Sequence, residues 1–128
     1  MYKLFIDDER IPKQVTWIEM PLGPWVIVRN YLQFVEYITR NGLPMHVSFD
    51  HDLSMEHYPA FEPDGGIYAP KVIPYEKYKE LTGFSCAKWL VEYCIENHKQ
   101  FPSYTVHSMN PIGSENIKSY IESFKRQR

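Results

Sequence analysis

With 128 residues, the chain is long enough to bury one core and too short for two, so a single domain over 1–128 is expected. A formal net charge of −2 excludes broad electrostatic binding to nucleic acid. No apolar run approaches the roughly twenty residues that span a bilayer.

The opening run, Met1 to Ile6, is too short for a secretory signal and meets acids at once. Tyr2 to Ile6 reads as a short buried strand, stopped by Asp7-Asp8-Glu9-Arg10 and Pro12. A loop through Pro21, Gly23 and Pro24 leads to a second strand, Trp25 to Val28. Asn30 is a good helix cap, and Tyr31, Phe34, Val35 and Ile38 keep helical spacing until Asn41-Gly42 ends the helix. Met45 to Phe49 is a third strand. From Ser54 to Pro74 the chain is rich in Pro, Gly and Tyr without a period, which predicts a long loop or insertion. A helical turn over Tyr75–Leu81 leads to a second long helix capped by Thr82, with Phe84, Ala87, Leu90, Val91, Cys94 and Ile95 on its apolar face. Cys86 and Cys94 lie about 12 Å apart along that helix, too far for a mutual disulfide. A reduced, cytoplasmic protein is therefore expected. Tyr104 to Val106 forms a fourth strand, Asn110-Pro111 breaks it, and Ser114 to Phe124 forms the last helix. Strands alternating with helices predict an α/β domain of three layers, with a mainly parallel sheet of about four to five strands.

Ligands of such sheets bind beyond the carboxyl ends of the strands. Those ends carry Asp7-Asp8, Asp50-His51-Asp52-Leu53 and His107-Ser108-Met109-Asn110. Acids gathered in one place repel one another unless a cation neutralises them, so a divalent-metal site is predicted. Asp8 and Asp50 are the expected direct ligands of Mg²⁺ or Mn²⁺, with Asp7 and Asp52 supporting or binding through water. Ordinary turn-forming and capping acids are the competing explanation. His107 has the chemistry of a general acid or base, while Ser108 and Asn110 suit phosphate oxygens. Against this, Asn-Pro and Gly113 also simply turn the chain. Arg10 either binds a phosphate bidentately or pairs with a neighbouring acid. Thr82-Gly83 offers amides to an anion, or merely caps its helix. His46, His57 and His98 have no clustered partners in sequence and read as incidental.

Four segments, Leu4–Arg10, Ser48–Leu53, Thr82-Gly83 and His107–Gly113, together resemble the cyclic-phosphate-processing receiver domains, relatives of two-component phosphoacceptor domains. The resemblance covers nearly the whole chain outside the 54–74 segment. It implies a receiver- or flavodoxin-like fold, with Asp7, Asp8 and Asp50 in the places that hold Mg²⁺ and Ser108 in the place of the phosphate-contacting hydroxyl. Asp52, His107 and the lack of a strand ending in Lys-Pro depart from ordinary receivers, which argues against a phosphoswitch. The resemblance implies instead a metal-dependent phosphoesterase for cyclic phosphates, such as a 2′,3′-cyclic RNA end or a cyclic nucleotide. Asp50 would be base or nucleophile, and His107 the proton donor to the leaving oxygen. The alternative is a non-catalytic module that sequesters a nucleotide or docks on a protein partner through the Tyr-rich 54–74 loop.

Overall fold

Four short runs rich in β-branched, aromatic and other apolar residues form neighbouring parallel strands. In the computed structural model these are β1 (Lys3–Ile6), β2 (Trp25–Val28), β3 (His46–Phe49) and, last in the chain, β6 (Ser103–Val106). The structure describes residues 1–53, 60–61, 67–68 and 81–127. Two two-residue strands, β4 (Ala60–Phe61) and β5 (Ile67–Tyr68), extend the sheet antiparallel at β2, giving the order β5-β4-β2-β1-β3-β6. They fall inside the stretch expected to be loop, because strands this short carry too little alternation to register as a pattern. The rest of the 54–74 segment and most of the helical turn expected over Tyr75–Leu81 lie outside the described residues.

Helix α1 (Tyr31–Asn41) starts as its cap predicts, with Asn30 Oδ1 accepting the Gln33 N–H at 2.9 Å. It ends at Gly42, whose φ of 84° only glycine adopts without strain, and whose N–H reaches Ile38 O at 2.7 Å. Helix α2 spans Gly83–Glu96 from its cap Thr82. Helix α3 runs Pro111–Arg126, beginning three residues earlier than the spacing suggested. Pro111 does not stop a helix here; it occupies the first helical position, where its missing N–H costs nothing, and Asn110 Oδ1 caps Gly113 N at 3.0 Å.

Right-handed crossovers explain the layering. The chain moves from β2 across β1 to β3 and on to β6 in one direction, so α1 and α2 fall on the same face. There α2 packs between α1 and α3. The β1-to-β2 connection runs the other way and therefore covers the opposite face. That third layer is, among the described residues, an irregular segment with one 3₁₀ turn, Pro12–Gln14. Leu4, Ile6, Val47 and Phe49 meet Phe34, Ile38, Leu90 and Ile121 on the helical side, all fully buried. Each such side chain contributes about 1.5–3 kcal/mol. Cys86 and Cys94 form no disulfide with each other and are buried within this core. No helix of the described residues is long and apolar enough to cross a membrane.

Candidate active site

Strand order reverses between β1 and β3, the switch point at which open α/β sheets place ligands. Asp7 and Asp50 are the first residues past these two strands, and His107 is the first past β6. Their backbones remain tied to the sheet: Asp7 N–H donates to Val28 O at 3.2 Å, Asp50 to Ile6 O at 2.9 Å and His107 to Phe49 O at 2.9 Å. The three side chains therefore stand on a rigid platform, on the face away from the helices.

Asp7 is fully buried and fully engaged. Its Oδ1 accepts the Glu9 and Arg10 amides at 2.9 and 2.8 Å, and its Oδ2 accepts His107 Nε2 at 3.0 Å. Burial alone would raise its pKa, but the bonds from His107, Arg10 and Glu9 outweigh it and hold the carboxyl below its usual range. Asp50 shifts the other way, up to about 6, because it is buried and faces the charge of Asp7. Arg10 answers both acids loosely, with Nη1 3.5 Å from Asp7 Oδ2 and 4.0 Å from Asp50 Oδ2. Its guanidinium also lies 5.2 Å over the Trp17 ring and 3.6 Å from Met109 Sδ. The buried Arg29 holds the Asp7–Arg10 turn from behind, donating to Asp7 O at 3.2 Å and Arg10 O at 2.6 Å.

In front of the acids opens a pocket of about 520 Å³ lined by Asp8, Glu9, Arg10, Asp50, Asp52, Ser108, Met109, Asn110 and Pro111. Six of the residues expected from sequence thus converge: Asp8, Arg10, Asp50, Asp52, Ser108 and Asn110. Asp52 is largely exposed, and a 3.0 Å bond from His51 Nδ1 lowers its pKa, with Asn110 Nδ2 a further 3.4 Å neighbour. Ser108 Oγ accepts the Asn110 N–H at 3.1 Å.

His107 is not brought into the pocket. It lies fully buried behind Asp7, stacked on Phe5 at 4.4 Å, with its second nitrogen 2.7 Å from Ser48 Oγ. Thr82 and Gly83 also lie outside the lining. The Gly83 N–H is spent on His51 O at 2.7 Å, and a Cβ there would sit 1.6 Å from Asp50 O. Glycine is needed at this position because α2 begins directly against the Asp50 backbone.

The ligand atoms of Asp7, Asp50 and His107 lie within 4.8 Å of one another, close enough to consider a metal. Hard carboxylate oxygens, one raised in pKa by burial and by the neighbouring Asp7 charge, fit a hard divalent cation. His107 differs: opposite an ionised carboxylate, its Nε2 must carry hydrogen, so it supports Asp7 rather than offering a lone pair. Glu9, Met109, Pro111, Trp17 and Arg29 were not picked out from the sequence as site residues. Glu9, Met109 and Pro111 adjoin motif residues, but nothing local marks Trp17 or Arg29.

A parallel sheet with acids at its switch point and a facing hydroxyl–amide loop defines a receiver-like domain. Residues 2–123 match the family model described as cyclic-phosphate processing receiver domain, and the chain belongs to that family. No curated protein and no solved structure matches it significantly.

Proposed function

We propose that this protein is a divalent-metal-dependent phosphoesterase that opens a cyclic phosphate, either the 2′,3′-cyclic end of an RNA or a cyclic nucleotide. The observation that carries the reading is the pairing of Asp7 and Asp50 at the switch point, with Asp50 lining a polar pocket large enough for a nucleotide-sized ligand and Asp7 fully buried beside it. The family description supplies the substrate class. Asp8 and Asp50 would hold Mg²⁺ or Mn²⁺, with Asp7 and Asp52 supporting or binding through water. When bound, such an ion polarises a phosphoryl oxygen and makes its water more acidic.

The chain's own groups do the rest. Ser108, Asn110 and Arg10 bind and orient the phosphate oxygens. Asp50 takes a proton from the attacking water as a new P–O bond forms. One ring P–O bond breaks, and the same proton returns to the leaving oxygen, giving a monoester and an alcohol. His107 acts from behind, through Asp7, since its ring does not reach the pocket. Thr82 and Gly83 contribute by seating the Asp50 backbone. Two buried cysteines that form no disulfide with each other suit a reducing, cytoplasmic setting.

Purified protein with Mg²⁺ or Mn²⁺ is expected to hydrolyse at least one member of a panel of 2′,3′- and 3′,5′-cyclic nucleotides and cyclic-ended oligoribonucleotides. Chelator should abolish the turnover. A blank panel rejects the proposal. A second reading, a binding module without chemistry, draws on Arg10, which already places a cation against both acids. Stoichiometric nucleotide binding that ignores chelator and yields no product would decide for it.

A further inference from the structure

Strand register builds a polar grid on the sheet face away from the helices. His46 pairs with Ser103 and Ser48 with Thr105, all on that face; one step further along the same face stand Asp50 and His107. The side chains join into one continuous chain. Ser103 Oγ lies 2.9 Å from His46 Nδ1, and His46 Nε2 lies 3.2 Å from Thr105 Oγ1. Thr105 Oγ1 is 2.7 Å from Ser48 Oγ, which is 2.7 Å from His107 Nδ1. His107 Nε2 then meets Asp7 Oδ2 at 3.0 Å.

With one proton on the His107 ring, the direction of the chain follows from the Asp7 end. A carboxylate only accepts, so His107 Nε2 donates, and the neutral ring then offers Nδ1 as an acceptor. Ser48 must donate to Nδ1, which leaves its oxygen to accept from Thr105. Thr105 in turn accepts from His46 Nε2–H, and His46 Nδ1 accepts from Ser103. Burial, with the charge of Lys3, lowers the His46 pKa, which suits a neutral ring here. Met20 Sδ sits 3.7 Å from Ser48 Oγ and 3.9 Å from Thr105 Oγ1, but a thioether is too weak an acceptor to redirect either hydroxyl.

We propose that Ser48, Thr105 and His46 form a one-way hydrogen-bond chain that presents His107 to Asp7 as an Nε2–H donor, making them positioning residues for the acid site. The chain fixes one ring orientation and one tautomer behind Asp7, and so fixes the buried carboxylate beside Asp50. It also makes any cation site here one of oxygen ligands. Its importance for catalysis rests on the phosphoesterase reading; the hydrogen-bond order does not.

The test is a long-range ¹H–¹⁵N correlation of the histidine rings in the full chain without metal, at about pH 8, where ordinary imidazoles are neutral. His46 and His107 should each show a single Nε2–H tautomer. Thr105→Val should release His46 into a tautomer mixture, and Thr105→Ser should restore it. Ser48→Ala should move the His107 Nδ1 resonance to that of an acceptor without a donor. Hydrogen on His107 Nδ1 in the wild type, or ring signals indifferent to both Thr105→Val and Ser48→Ala, overturns the proposal. In the cyclic-phosphate assay, Ser48→Ala should lower kcat about tenfold or more with KM unchanged. A wild type without turnover rejects the phosphoesterase reading and leaves the ring measurement to decide the chain.

Discussion

The two faces of the sheet hold the molecule together in opposite ways. On the helical face, Leu4, Ile6, Val47 and Phe49 meet the apolar stripes of three helices. On the other face, Ser48, Thr105 and His107 are joined by directional hydrogen bonds that lead to Asp7. Dispersion and water exclusion tolerate small shifts, whereas a buried hydrogen-bond network fixes positions and loses heavily when one member goes. The first face supplies stability, and the second holds two acids where they would otherwise repel.

The comparison can be broken most severely where the faces meet. Gly83→Ala would drive a methyl group into the Asp50 carbonyl, and the backbone must yield. A loss of about 3 kcal/mol or more is expected in urea unfolding, with cation binding lost as well. Leu90→Ala removes buried hydrocarbon from the helical face only. It should cost about 2–5 kcal/mol while leaving kcat of the folded protein unchanged. Asp50→Asn should act in the reverse sense. The folded protein holds Asp50 at about 6 against an ordinary 3.8, so it binds that proton more tightly than the unfolded chain does. Ionising Asp50 therefore costs stability as pH rises through this window, and the Asn variant should lack that decline while losing turnover. Asp7 has the opposite sign: its lowered pKa adds stability above the ordinary carboxylate range that is lost in acid. The smallest effect belongs to exposed Asp52. Asp52→Asn should leave the unfolding midpoint where it is and alter only pocket chemistry.

Much of this was readable in advance, for identifiable reasons. Strands β1, β2, β3 and β6 and the cap at Asn30 follow from local pattern, and the acids are visible because they follow strands directly. What escaped depends on pairing between distant segments. His46 looked solitary because its partners, Ser103 and Thr105, lie 57 and 59 residues away. The signal was nonetheless present: His46-x-Ser48-x-Asp50 and Ser103-x-Thr105-x-His107 alternate polar and apolar residues with the strand period of two. Aligning the two strands turns those separate alternations into the grid. The placement of His107 behind Asp7 needed the third dimension, since a residue next to Ser108 is equally able to face a pocket or a sheet. Arg29 gave no local sign of its role, which is set by the loop it holds.

The central claim, that Asp50, backed by the buried Asp7, makes the adjoining pocket a cation-dependent phosphate site, is tested most directly by Mn²⁺ titration. Free Mn²⁺ would be followed by its paramagnetic resonance signal in wild type and in Asp50→Asn. The account predicts stoichiometric uptake by the wild type, competed by Mg²⁺ and lost in Asp50→Asn while that protein remains folded. Equal uptake by both proteins, or none by the wild type, would contradict it.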